Sequence, residues 1–347
     1  MSELITKAPQ GVLRRGWSTK VDDYAIAGTW ACGGKMLVVG DAAGGVFGLE
    51  GKSGKTIWSS PGVHDGGLLA MDIHPGRELV ATAGQDGRVL LWSAQDGRLN
   101  EFAKLEKAWV ENVAWSPNGQ WLAASNSRRV HVYDIEGNEV WQSEDHPSTV
   151  SAIAWAGSEE LATACYGRVS FFEAASGTLR QKLEWKGSLV SMVLSPDGDI
   201  VACGSQDNSV HFWRRSTAKD SMMSGYPGKP SALAFDASGT LLATSGGNTA
   251  TVWCFQGDGP EGTQPGELDG HIEPVTSLTF SKTGRQLATG GRDGAVVVWE
   301  VRKDGEGLPV GVALVEDVIA TLAWRPDGRS LAALDASGGV TTWRLGG

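Results

Sequence analysis

The sequence predicts an all-β protein, a β-propeller most simply read as eight four-stranded blades. Three observations predict it: a fixed internal repeat, an aromatic residue closing each repeat, and an unusual supply of turn residues. Shifting the chain by 207 residues lays residues 64–92 over 271–299 without a gap, so that Ala81/Ala288, Thr82/Thr289, Gly84/Gly291, Asp86/Asp293, Gly87/Gly294 and Val89/Val296 coincide. The closing aromatic falls at Phe47, Trp92, Tyr133, Phe172, Trp213, Trp253, Trp299 and Trp343, at intervals of 39 to 46 residues. A period of that length is the mark of propeller blades. The 347 residues include 48 Gly and 15 Trp, which suits many tight turns and a repeated aromatic packing position.

Each unit reads as short strands. Segments such as Val275-Thr276-Ser277-Leu278-Thr279-Phe280 and Ala295-Val296-Val297-Val298-Trp299 are β-branched and aromatic, bounded by Gly and Asp. The turn after the first strand recurs as Ser116-Pro117-Asn118-Gly119, Ser195-Pro196-Asp197-Gly198 and Arg325-Pro326-Asp327-Gly328. Pro second and Gly fourth is what a tight turn favours. An outer strand follows the aromatic, as in Lys55-Thr56-Ile57-Trp58 and Glu139-Val140-Trp141. The eighth unit ends after its third strand, so its outer strand is expected from residues 11–18, ahead of a first inner strand at 24–30. Seven blades with one distorted unit is the alternative. No linker interrupts residues 1–347, which form one expected domain with residues 1–10 as a flexible tail.

Composition narrows the function. A formal net charge of −10, with no basic run longer than a pair, argues against a nucleic-acid or membrane partner. No stretch reaches the ~18 apolar residues of a spanning helix, and Met1 to Gln10 lack the layout of a secretory signal. Cys32, Cys165, Cys203 and Cys254 are far apart and read as reduced thiols of a cytoplasmic protein.

With these residues in view, the chain resembles the WD-repeat family over essentially its whole length. Gly270-His271, Ser277, Asp293 and Trp299 stand where that family has its His–Ser–Asp–Trp hydrogen-bonded tetrad. Other units depart from it: the second has Ala70 where the seventh has Ser277, and the fifth has Trp185 at the His position. The resemblance implies a non-catalytic scaffold that binds a protein or peptide partner on the rim of the channel, on the side of the His loops and Asp turns.

Matching each unit to the seventh gives candidate partner-binding residues Tyr24, Leu69, Gln85, Trp109, Glu111, Gln206, Lys229 and Arg292. Trp, Tyr and Arg are the residue types that dominate interface energetics. Two other readings stand beside it. His146 and Cys165 are a weak candidate for transient metal binding, because the fourth unit lacks the usual Asp partner. A propeller enzyme would need titratable groups converging on the channel, whereas the carboxylates are scattered through turns. Gly51-Lys52-Ser53-Gly54-Lys55-Thr56 looks like the end of a phosphate-binding loop, but its first Gly position is Leu49 and Ile57-Trp58 continues as strand. No catalytic residue, resident metal or cofactor is expected.

Overall fold

Turn geometry sets the strand lengths. In a computed structural model, which describes residues 13–105, 109–257 and 259–346, the Gly119, Gly198 and Gly328 amides each donate to the carbonyl three residues back at 2.8 Å. These glycines sit at φ 71°, 73° and 66°, a region that side chains avoid. The expected tail, residues 1–10, lies outside the described residues.

Between the turns the chain forms antiparallel sheets. The first runs through Ala25–Ala31, Met36–Asp41, Val46–Glu50 and Thr56–Ser60, from channel to outer edge. The second and third follow the same order over Leu68–Lys104 and Val110–Gln142, and two more occupy Leu233–Asp269 and Val275–Leu314. The last sheet takes Ile319–Trp324, Ser330–Asp335 and Gly339–Leu345 from the C-terminal end and its outer strand, Leu13–Lys20, from the N-terminal end. Leu13 pairs with Leu345 and Lys20 with Gly339, which closes the ring.

The blade count is corrected. Hydrogen bonding joins the strands into seven sheets and not eight separate ones, because one sheet has six strands. Its strands Glu160–Glu173 and Leu179–Leu194 are long and unbroken. The first pairs with Ala152–Ala156 through residues 160–164 and with the second through 166–172; the second then turns to Ile200–Ser205 through 189–194. Tyr166 pairs with Ser188 where a break between two blades was expected. The two repeats of the sequence are therefore fused into one continuous sheet.

The core lies in the seams between sheets. Side chains alternate faces along a strand, and in the second sheet both faces are apolar. Val80, Leu90 and Trp92 pack against Val38 and Val46 of the first sheet, while Ala81, Ala83, Val89 and Leu91 pack against Val113 and Leu122 of the third. Neither face has water to meet.

Indole N–H groups tie the seams. Trp30, Trp155 and Trp324, each at or near the end of an inner strand, donate to the carbonyls of Ala323, Ala114 and Thr279 in the preceding repeat, all at 3.0 Å. Trp17, Trp58 and Trp141, on outer strands, donate forward to Gly51, Ala94 and Ala174 at 3.0, 3.0 and 2.7 Å. A buried indole needs a partner for its N–H, and for these six it is the backbone of an adjoining sheet.

One seam carries a carboxyl. Asp72 accepts from the Ile73 amide at 2.9 Å and, across to the third sheet, from the Trp115 amide at 2.7 Å. Burial pushes its pKa up to about 6, against those two hydrogen bonds. A folded pKa above the ordinary value contributes stability that is present in acid and lost as pH rises through about 6. Denaturant unfolding of wild type and Asp72→Asn should therefore diverge in the variant's favour between pH 4 and pH 7, by on the order of 1 kcal/mol or more. A pH-independent difference would remove Asp72 as a titrating group of the seam.

Candidate functional site

The rim is held by a repeated polar frame. In the seventh repeat His271 Nε2 lies 2.7 Å from Thr289 Oγ1, Trp299 Nε1 donates to the same hydroxyl at 3.0 Å, and His271 Nδ1 lies 3.2 Å from Asp293 Oδ1. The second repeat reproduces the set with His64, Thr82, Trp92 and Asp86 at 2.9, 2.8 and 3.1 Å. One donor order satisfies every group: indole to hydroxyl, hydroxyl to imidazole, imidazole to carboxylate. It requires a neutral histidine, and burial lowers the pKa of both His64 and His271. Burial works against the Asp293 carboxylate, yet the Ile272 and Ala295 amides and His271 hold its pKa below the usual range.

Two expectations are corrected by this geometry. The tetrad hydroxyl is Thr289 and not Ser277, whose Oγ accepts from the Leu322 amide of the next sheet at 3.2 Å. Ser277 sits on the inner strand, and its side chain faces the seam. Second, His146 is not free for a metal. Its Nε2 lies 2.9 Å from Thr163 Oγ1 and its Nδ1 3.0 Å from the Arg128 carbonyl, so both ring nitrogens are engaged. Cys165 is buried, with its thiol directed at the carbonyls of Tyr166 and Arg168, and burial raises its pKa. Among the described residues no group of three or more His, Cys, Asp or Glu stands ready to hold a metal.

Above this frame lies the rim. The Gln85, Gln206 and Arg292 amides donate to the carbonyls of Gly67, Ser188 and Pro274, and Ala42 donates in the same way to Tyr24, so these positions are structurally equivalent. Trp109, Gln206, Lys229 and Arg292 are exposed, Trp109 by 52%; Tyr24, Leu69, Gln85 and Glu111 are half-buried. Burial raises the pKa of Glu111, and its Oε2 has no hydrogen-bond partner among the described residues.

Of the eight candidates, Lys229 and Arg292 are brought together, on a groove of about 640 Å³ between the sixth and seventh repeats that Pro227, Asn248, Ile272 and Thr276 also line. Sequence matching missed Ile272, exposed by 63%, and did not count Tyr166, exposed by 56%, as a rim residue. Ile272 follows the tetrad histidine and its amide is held by Asp293 Oδ2 at 2.9 Å, so position beside His271 was the available signal.

Ring, tetrads and rim together define a WD-repeat β-propeller. A family model for the WD domain, G-beta repeat, matches residues 56–93, 102–134, 177–214 and 262–300, so WD repeats are found at four places in the chain. It is 26% identical over 327 residues to telomerase protein component 1 of Rattus norvegicus, covering 89% of this chain but 11% of that protein. It is 24% identical over 310 residues to a guanine nucleotide-binding protein subunit beta of Nicotiana tabacum, covering 82% of each. Among solved structures, the computationally designed Ika8 protein superposes with a TM-score of 0.81 at 19% identity, covering 96% of this chain and 100% of that one. A chain of a mitotic checkpoint complex gives 0.65 at 20% identity, covering 80% and 92%. At those identities the likeness shows the fold alone. No helix among the described residues is long and apolar enough to cross a membrane.

The tetrad assignment separates two variants. Thr289→Val strands the Trp299 N–H and the His271 ring together and should cost about 2–3 kcal/mol in denaturant unfolding, whereas Ser277→Ala, which strands one amide, should cost about 1 kcal/mol. The reverse ranking would return the role to Ser277.

Proposed function

We propose that this protein is a non-catalytic interaction platform that binds a protein or peptide on its upper rim. The observation that carries the reading is the groove between the sixth and seventh repeats, where Lys229 and Arg292 flank the exposed Ile272. An apolar anchor beside two cations suits an extended acidic segment with one hydrophobic side chain. Trp109 and Tyr166 extend the exposed aromatic surface, and Tyr24, Leu69, Gln85, Glu111 and Gln206 supply the rest of the candidate contact set. Large, fully ordered aromatic and Arg side chains are where binding energy concentrates.

The relatives support the same class. One is by name a subunit of a guanine nucleotide-binding protein, and a structural neighbour was solved within a mitotic checkpoint complex. Partner binding through a propeller face is the reading that unites those names with this rim.

Affinity purification of tagged wild type beside Lys229→Ala/Arg292→Ala and Trp109→Ala variants, read by mass spectrometry, tests it. Each anchor lost should weaken capture of a specific protein by about 1–3 kcal/mol, a factor of roughly 5 to 150. Equal recovery by correctly folded variants would move the working surface off this rim.

A further inference from the structure

The strand pair that closes the ring also gathers positive charge. Arg14 and Arg344 are direct partners across Leu13–Lys20 and Gly339–Leu345, and with Arg15 and Lys52 they line a recess of about 600 Å³ floored by Trp17. Directly opposed residues of an antiparallel pair project from the same face, and like charges there are destabilising. Arg14, Arg15, Lys52 and Arg344 form no ion pair among the described residues, and Arg15 senses Glu316 only at longer range, because that carboxylate is taken by Lys20. Several arginines elsewhere in this acidic chain do find carboxylates: Arg88 pairs with Asp86, Arg129 with Asp145, Arg214 with Asp199 and Arg215 with Glu160.

The recess is held in place. The Trp17 amide donates to Thr342 Oγ1 at 3.1 Å, that hydroxyl donates back to the Trp17 carbonyl at 3.2 Å, and a Cβ on Gly16 would stand 2.7 Å from the same Oγ1. Trp17 Nε1 donates to Gly51 at 3.0 Å, and Gly54 lies against the indole at φ 73°. These contacts fix the turn that carries Lys52 beside the closing strands. The segment Gly51-Lys52-Ser53-Gly54-Lys55-Thr56 is thus a turn leading into the strand Thr56–Ser60, with one cation aimed at the recess.

We propose that this recess is a binding site for a phosphate-bearing anion of two or more negative charges. Guanidinium forks match phosphate oxygens bidentately, and a single carboxylate would leave most of the charge of Arg14, Arg344 and Lys52 unanswered, while Arg15, opposite Trp343, projects from the other face of the strand. The volume is larger than one phosphate ion fills and has room for a ligand with further phosphate groups or an organic body.

The probe is inorganic tripolyphosphate, titrated calorimetrically into the full chain at fixed ionic strength. Wild type should bind saturably, Arg14→Gln/Arg344→Gln at least tenfold more weakly, and Lys303→Gln, which removes an exposed cation elsewhere, unchanged. Citrate at matched charge should bind at least tenfold more weakly than tripolyphosphate. Without anion the double variant should melt no lower than wild type at low salt, since it removes a like-charge pair; should it melt lower, Lys52→Gln, outside the closing pair, must show the same loss of binding. Co-sedimentation with vesicles carrying phosphomonoester lipid would identify a membrane source for the phosphate, and binding of tripolyphosphate alone a soluble one. Absent saturation, equal affinity in the variants, or equal affinity for citrate would overturn the proposal.

Discussion

A four-stranded sheet with two apolar faces cannot stand in water, and every feature of this molecule answers that constraint. Val80 and Ala81 are adjacent in sequence and both fully buried, yet they face different neighbours. Each sheet therefore needs a partner on both sides, and the only arrangement that supplies one to the first and last is a closed ring. Closure falls to Leu13–Lys20, which covers the edge of Gly339–Leu345. The indoles add direction to this packing. Six of their N–H groups reach backbone carbonyls in an adjoining sheet, so that the seams they cross are set in register as well as filled.

The rim depends on those seams. Its loops are not packed into the core; they are held by the tetrads beneath, where Asp293 takes the Ile272 and Ala295 amides and His271 at once. Where the tetrad is altered, the molecule finds other partners. In the sixth repeat Tyr226 stands in for histidine, accepting from Trp253 Nε1 at 2.9 Å and meeting Thr244 Oγ1 at 2.8 Å. In the fifth, Trp185 stacks on His211 at 3.8 Å, and burial brings the His211 pKa down to about 4. A stiff platform with variable upper side chains is what a binding surface needs, and it leaves both the groove at Arg292 and the cationic recess at Arg344 open to a ligand.

Much of this was legible in the residues. The closing aromatics mark the third strand of every repeat but the fourth, where Phe172 lies on the unbroken strand Glu160–Glu173, the Pro-Asp/Asn-Gly turns mark the step before the second strand, and the missing outer strand pointed to the N-terminal end for closure. What could not be read were relations carried by the backbone. The fusion of two repeats into one sheet rests on Tyr166 meeting Ser188, a pairing that no periodicity signals. His146 looked partnerless because its second partner is the Arg128 carbonyl, and carbonyls have no sequence identity. Ser277 and Thr289 both offer a hydroxyl to the tetrad, and although Thr82 and Thr289 coincide in the self-comparison, only the facing of their strands separates the two.

The dependence of the whole ring on its closing strand is the claim from which the rest follows. Hydrogen exchange of the protein lacking residues 1–20, beside the full chain, tests it most directly. Ring closure of this kind requires protection to fall first at Gly339–Leu345 and Ala25–Ala31 and then around the ring, with a lowered cooperative transition. Protection unchanged beyond the strand that lost its neighbour would show that the sheets hold together without closure, and would contradict the account.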